Sequence, residues 1–286
     1  MKESSKKSET GTLYLVSTPI GNIEDITLRA LRILKDVDLV AAEDTRVARK
    51  LFSTYGIKTR LESCFESNEG KKADFFLRRL SGGSDIALIS DAGTPGVSDP
   101  GFRLTERCLQ NSIPVRTVPG PSSVVSALSV SGFSMESFSF MGFVPRTVAK
   151  RKRFFLSLRA EAAGTCVVFE TARRLKASLA DACEVLGDVP VVVARELTKI
   201  HEEVMRGTIS EVLEDLEGRV VLGEVALVFR LCRPVLTEAE ACAMMEELLR
   251  AGLPMKEVVK ALTRESGAKR TEVYKEALAM KQRLGL

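Results

Sequence analysis

The chain has one histidine, His201, among 286 residues. Hydrolytic triad chemistry would rest entirely on that imidazole, and a lone histidine more often packs or faces water. The six cysteines (Cys64, Cys108, Cys166, Cys183, Cys232 and Cys242) include no CxxC pair. Zinc sites group His or Cys ligands at short spacing, so no structural metal is expected. Scattered cysteines of this kind are expected to be buried, reduced thiols. No apolar stretch approaches the roughly 20 residues of a membrane span; runs such as Val191-Val192-Val193-Ala194 are far shorter. Residues 1–10 are polar and charged and lack the apolar core of a signal peptide, so they are expected to form a disordered arm on a cytoplasmic protein. The patterns GxxxxGK[ST], HExxH and GxSxG are missing, and no GxGxxG follows the first predicted strand. These gaps argue against P-loop nucleotide hydrolysis, zinc proteolysis, the α/β-hydrolase nucleophile and the usual dinucleotide fold.

What is present fits a soluble globular protein. Hydrophobic residues make up 45% and charged residues 28%, and the length permits one large domain or two ordinary ones. The net charge is only +4, but its distribution is uneven. Arg146 and Lys150 to Arg153 put five basic residues in eight positions, and residues 254–286 hold eight Lys/Arg against four Glu. Such clusters are either solvated helix faces or footprints for a phosphate backbone.

Strand-like apolar runs alternate with helix-like stretches, which predicts an α/β protein with parallel strands. Leu13 to Ser17 reads as a strand. Thr27 is placed to cap a helix with the apolar face Leu28, Leu31, Leu34 and Val37. Val40 to Ala42, Asp85 to Ser90 and Val115 to Val118 read as strands. Arg46 to Tyr55, Asn68 to Leu80 and Phe102 to Gln110 read as helices, with Gly56 as a stop. Phe140 to Arg146, which carries one Gly and one Pro and precedes a basic helix, is read as the domain boundary. Strands are predicted again at Thr165 to Phe169, Pro190 to Arg195, Glu202 to Arg206 and Glu224 to Phe229, with a helix over Arg173 to Leu186. From Thr237 onward the pattern is helical, and Met255 to Glu265 with Arg270 to Met280 has the spacing of a helix-turn-helix pair. The expected division is an arm (1–10), an N-terminal α/β domain (11–142), a second α/β domain (143–235) and a C-terminal helical module (236–286).

Three small-residue loops follow predicted strands: Ser17 to Asn22, Ser90 to Gly101 and Pro119 to Ser123. Open α/β sheets bind ligands at such strand ends, where Gly and Pro let the backbone approach closely. Asp91, Thr94, Ser122 and Ser123 supply polar groups. Charged clusters follow other strands: Glu43-Asp44-Thr45-Arg46, Glu170 to Arg174, and Arg195 to Lys199. Helix capping accounts for the first as readily as substrate orientation does.

Taken together, Leu15-Val16-Ser17-Thr18-Pro19-Ile20-Gly21-Asn22, Ala42-Glu43-Asp44-Thr45-Arg46, Ser90-Asp91-Ala92-Gly93-Thr94-Pro95, Pro119-Gly120-Pro121 and Ala194-Arg195-Glu196-Leu197-Thr198-Lys199 resemble the 16S rRNA cytidine 2′-O-ribose methyltransferases of the tetrapyrrole methylase superfamily. The resemblance is strong over about residues 11–230 and looser in the C-terminal helices. It implies two α/β domains with S-adenosylmethionine in the cleft between them. It also implies a homodimer and methyl transfer to a cytidine in the decoding region of the small ribosomal subunit. Carried over by position, cofactor contacts fall on Pro19, Asp91, Gly93, Thr94, Pro95, Val97, Ser122, Ser123, Phe169, Glu170, Leu197 and Ala226. Glu43 or Glu170 would accept the ribose proton, unless loss to water suffices. Arg46, Arg173, Arg195 and Lys199 would hold phosphates or polarise the ribose. Arg146, Lys150, Arg151, Lys152, Arg173, Lys269 and Arg270 would contact RNA. Members often carry histidines before an Asn-Glu pair, where this chain has Cys64-Phe65-Glu66-Ser67-Asn68-Glu69. A methyltransferase of the superfamily with a tetrapyrrole or protein acceptor, and a non-catalytic assembly factor, are the alternatives.

Overall fold

The computed structural model describes residues 10–161, 164–231, 238–266 and 268–285. The expected arm, apart from Thr10, and Cys232 lie outside the described residues. The first sheet holds β1 (Leu13–Val16), β2 (Leu39–Ala42), β3 (Leu61–Ser63), β4 (Ile86–Ile89) and β5 (Val115–Val118) in the order β3-β2-β4-β1-β5. Every pairing in it is parallel. Helices α1 (Leu28–Asp36), α2 (Thr45–Tyr55), α3 (Glu66–Ser81) and α4 (Phe102–Gln110) cover it. A strand points successive side chains to opposite faces. Accordingly Val40 and Ala42 pack with Ala30, Leu34 and Phe52, whereas Leu39 and Ala41 pack with Phe76, Leu80 and Leu104. Burial on both faces is why these strands read as unbroken apolar runs.

Thr27 caps α1 through its hydroxyl, which accepts from the Ala30 N–H at 3.0 Å, and Gly56 ends α2 at φ 63°. Leu28 departs from the expected apolar face. As the first residue of α1 it points away from the sheet and is 86% exposed. The three-residue β3 carries too short a pattern to be read from sequence.

The second sheet holds β6 (Phe138–Phe143), β7 (Gly164–Thr171), β8 (Pro190–Arg195), β9 (Glu203–Thr208) and β10 (Glu224–Leu231) in the order β6-β7-β10-β8-β9. Only β6 and β7 are parallel; the other pairings are antiparallel, so the parallel expectation fails here. One face carries α6 (Val148–Glu161), α7 (Leu175–Leu186) and α8 (Ile209–Asp215), packed through Phe155, Leu179 and Val212. The other face carries α5 (Ser123–Ser131), whose Val124, Ala127 and Leu128 meet Val167, Val192, Ala226 and Val228.

The boundary expected at residues 142/143 therefore falls inside β6. Gly142, at φ +69°, marks a shift of register between Phe140 and Phe143 and not a linker; glycine inside a strand commonly marks a bulge. The chain passes between the sheets earlier, at Pro119-Gly120-Pro121, because α5 buries its apolar face on the second sheet. The helices α9 (Glu238–Arg250), α10 (Met255–Ser266) and α11 (Arg270–Leu284) form a core of their own from Met245, Leu249, Val258, Leu262, Val273 and Met280. No described helix is long and apolar enough to cross a membrane.

Candidate functional site

The three loops converge as their strand order requires, since β1 lies between β4 and β5. The Thr18 N–H donates to the Gly93 carbonyl at 2.9 Å, and the Gly93 N–H returns a bond at 3.1 Å. The Ser17 and Thr94 hydroxyls lie 2.9 Å apart, and the Thr18 hydroxyl donates to the Ser90 carbonyl at 3.1 Å. Gly93 holds φ +78°, a conformation glycine adopts without strain.

Facing these loops is a turn of the second domain, Glu196-Leu197-Thr198. Glu196 and Thr198 have φ of 51° and 67°, and across the cleft Ser98 has φ 64°. Non-glycine residues in the left-handed region are uncommon and cluster at functional sites. Gly21 lets the two domains close on each other. A Cβ there would sit 2.8 Å from the Thr198 hydroxyl and 2.9 Å from the Leu197 carbonyl. The Asn22 N–H donates to the same hydroxyl at 3.0 Å.

Between the domains lies a cleft with about 1020 Å³ between its walls, open mouth included. Gly93, Thr94, Val97, Asp99, Ser122 and Ser123 line one side; Phe143, Phe169, Leu197, Val225 and Ala226 line the other. Of the expected cofactor contacts, Gly93, Thr94, Val97, Ser122, Ser123, Phe169, Leu197 and Ala226 are brought together here. Pro95 is buried and lines neither this cleft nor the next. Pro19 and Asp91 line a second pocket of about 790 Å³, with Ile23, Val47, Leu51 and Lys199. The two spaces share Ile20, Ala92 and Glu224.

The expected catalytic charges are mostly committed elsewhere. The Glu170 side chain is fully buried and paired with Arg174 at 2.5 Å. It also accepts from the Thr171 N–H at 2.6 Å and from the Ser178 hydroxyl. Strand alternation explains this. Phe169 faces the cleft, so Glu170 faces α7. Both oxygens are occupied, which removes Glu170 as the base; it contributes backbone to the cleft wall. Arg195 donates to Glu203 at 3.2 Å and to the Leu222 carbonyl at 3.0 Å, joining β8 to neighbouring segments and lining neither pocket. Lys199 does line the second pocket, held by Glu196 at 2.9 Å and Glu224 at 3.0 Å. One Glu43 oxygen accepts from the Asp91 N–H at 3.2 Å, fixing the loop after β4. Arg46 is exposed and pairs with Asp44 at 2.6 Å; that hydrogen bond holds the Asp44 carboxyl down at about 2.

Asp99 was not singled out from sequence. Burial pushes its carboxyl up to about 6, reinforced by Glu43, Asp91 and Glu224 and opposed by a hydrogen bond from the Ser90 side chain. Four acids from three segments meet there, Asp91 and Asp99 sharing the loop after β4, and folding brings Glu43 and Glu224 to them. Sequence shows Asp99 merely as one polar residue in a small-residue loop.

The basic cluster also divides. Arg151 is buried, donating to Asp181 at 2.5 Å and to the Arg146 carbonyl at 3.3 Å, so it is an internal tie and not an RNA contact. Lys152 pairs with Glu184 at 2.6 Å. Arg146, Lys150 and Arg173 are exposed, as are Lys269 and Arg270 on the C-terminal module. In the stretch without histidines, the Asn68 side chain accepts from the Phe65 N–H at 2.8 Å, and buried Glu69 accepts from the Leu104 N–H at 2.9 Å. Those two residues organise α3 and α4. Burial pushes the Cys64 and Cys166 thiols up to about 12 and Cys108 to about 11, which suits inert core thiols. Cys242 is exposed, unlike the expectation.

Residues 12–213 match the family described as tetrapyrrole (corrin/porphyrin) methylases. A Thermotoga maritima protein named ribosomal RNA small subunit methyltransferase I is 46% identical over 218 residues, 76% of this chain and 97% of that protein. A protein of the same name from Neisseria meningitidis serogroup B is 40% identical over 277 residues, 96% of this chain and 95% of that one. The solved uroporphyrin-III-C-methyltransferase of Thermus thermophilus aligns with a TM-score of 0.54 at 23% identity, covering 77% of this chain and 94% of that one. Diphthine synthase aligns with a TM-score of 0.61 at 14% identity, covering 77% and 90%. These two structures bear on the fold alone. The identities to the first two proteins extend over most of the chain, and with the family match they show that it belongs to the tetrapyrrole methylases and, among them, to the ribosomal RNA small subunit methyltransferase I group.

Proposed function

We propose that the protein is an S-adenosylmethionine-dependent methyltransferase acting on the ribose 2′-hydroxyl of a cytidine in the decoding region of 16S rRNA. The observation that carries this is the two-part cleft, built from the loop set of this family at the meeting of the two sheets. The donor set suits the cofactor. Phe143, Phe169, Leu197 and Ala226 form an apolar wall for a flat base. Thr94, Ser122 and Ser123 offer hydroxyls to ribose and amino-acid groups. When bound, this cofactor supplies a methyl group already activated on a sulfonium.

The protein's task is then alignment and proton removal. Alignment of bound reactants lowers barriers by several kcal/mol. The second pocket suits the acceptor nucleoside, with Pro19, Ile20, Val47 and Leu51 against its faces and Lys199 and Asp91 at its polar edge. Asp99 lines the first space and feels the charges of Asp91 and Glu224 in the second, so it stands near their junction. A carboxylate with its pKa raised toward neutrality is suited to general-base work. Asp99 accepts the 2′-hydroxyl proton, and Glu43 positions the loop that carries Asp91. Arg46, Arg146, Lys150 and Arg173, with Lys269 and Arg270 on the helical module, contact phosphates. A homodimer in the cytoplasm completes this proposal, as the family resemblance implies.

The test is transfer of labelled methyl from S-adenosylmethionine to unmethylated small ribosomal subunits, with the labelled nucleotide mapped by mass spectrometry. A ribose-methylated cytidine in the decoding region is expected. Cofactor binding without any label on RNA would overturn the assignment and point to another acceptor.

A further inference from the structure

A third depression opens beside the cleft. It has about 990 Å³ between its walls and is lined by Arg173, Lys176, Arg219, Val220, Leu222 and Gly223, among others. Thr171 and Gly223 belong to both this groove and the cleft, so the two are continuous. Among the described residues, the groove lining carries three cations and no carboxylate. The second pocket differs: Asp44, Asp91 and Glu224 there outnumber Lys50 and Lys199.

The cations are presented to solvent. Arg173 is exposed and, among the described residues, its side chain makes no hydrogen bond or ion pair. Lys176 gives one bond to the Arg219 carbonyl at 2.8 Å, leaving two of the three donors of an ammonium. Arg219 pairs with Glu203 at 2.6 Å while its side chain stays 44% exposed. Beside them Val220 and Leu222 are 86% and 69% exposed. Two aliphatic side chains held in water between cations suit a ligand that is anionic along one edge and flat and apolar along the other. A small anion would use only the cations. An unstacked polynucleotide uses both, placing phosphates on the basic groups and base faces on apolar side chains.

We propose that this groove binds the single-stranded RNA flanking the acceptor nucleotide, with Arg173 and Lys176 on phosphates and Val220 and Leu222 against bases. This rests on RNA being the acceptor. It explains how an acceptor pocket with more acids than bases can serve a polyanion: the nucleoside enters the acidic pocket and the flanking backbone is neutralised in the basic groove, the two meeting the cleft at the neighbouring residues Gly223 and Glu224.

The experiment measures binding of a labelled single-stranded RNA oligonucleotide carrying the decoding-region sequence, over a range of KCl concentrations, to the full chain. The variant R173Q/K176Q should weaken binding and flatten the slope of log affinity against log salt by about 1.4, since each single-strand phosphate contact contributes about 0.7. V220S/L222S should weaken binding with the slope unchanged. Cofactor titration reports whether each variant is folded. If the double variant fails that control, R173Q alone carries the test with an expected change of about 0.7, because the Arg173 side chain has no partner to lose among the described residues. An unchanged slope in folded variants, with wild type methylating RNA normally, would overturn the groove alone. Wild type that neither binds nor methylates RNA would overturn the functional assignment as well.

Discussion

The two sides of the cleft are built on opposite principles. The first domain reaches it with backbone turns and small polar side chains, fixed by bonds such as that from the Thr18 N–H to the Gly93 carbonyl at 2.9 Å. The second domain reaches it with an apolar wall, and its charges are mostly turned into ion pairs. Glu170 with Arg174, and Arg195 with Glu203, tie strands and helices together. Both domains place charged residues after strands, yet those of the second domain are largely architecture. The difference follows from topology. In a parallel sheet every strand enters the ligand edge with its C-terminal end. In the mixed second sheet β7 and β8 end at that edge while β10 begins there, paired antiparallel to both.

The comparison is tested most severely by E170Q. Breaking a buried ion pair by neutralising one partner costs about 3–5 kcal/mol, so a large fall in the denaturant midpoint is expected. The folded fraction should keep its methyl-transfer rate per bound cofactor. A normal midpoint with a collapsed rate would return Glu170 to catalysis and erase the contrast.

D99N is the counterpart on the first domain. Its single-turnover rate should fall by about 10²–10⁴-fold, and the wild-type acidic limb near pH 6 should vanish with it. Stability should move the other way. The folded carboxyl titrates at about 6, above the ordinary 3.8, so wild-type stability declines as pH rises between those values and stays lowered above them. D99N should therefore melt higher than wild type at pH 7, with the gain disappearing below about pH 4. A melting difference independent of pH would sink the placement of Asp99 among Glu43, Asp91 and Glu224.

G21V probes the seam between the domains. The added side chain meets the Thr198 hydroxyl and the Leu197 carbonyl, and overpacking of this kind costs about 1–3 kcal/mol. Because the clash lies across the cleft, cofactor affinity should fall along with stability in a titration. L28Q should do least, with a midpoint within about 0.5 kcal/mol of wild type. A larger loss would mean that Leu28 covers a surface after all.

The alternating pattern of the first domain was readable because both faces of its strands are covered by local helices. Its helices at Thr45–Tyr55 and Phe102–Gln110 end within a residue of the limits read from the sequence. The boundary near Gly142 was misread because a bulge and a linker use the same residues. The direction of β10 was not readable, since an apolar run carries no sign of parallel or antiparallel pairing.

The C-terminal module shows a related limit. The Thermotoga maritima relative is matched over 97% of its length by 76% of this chain, so about a quarter of this chain has no counterpart there. The module has a core of its own, in which α9 to α11 bury Val258, Leu262 and Met280 against one another.

By itself the sequence determined the strand-and-helix order of the first domain, the three loops and their convergence on one edge. Local periodicity, caps and glycine positions encode those features within a few residues. Tertiary structure alone decided which charges remain open. Arg151 and Glu170 look like Lys150 and Asp99 in the sequence, but the first two meet partners in the interior. Burial raises Asp99, and a single step along β7 turns Glu170 from the cleft to the core. Arg151 and Asp181 lie 30 residues apart and leave no local signature, whereas Thr171, Arg174 and Ser178 are near Glu170 in the chain but close around it only because β7 turns its side chain inward.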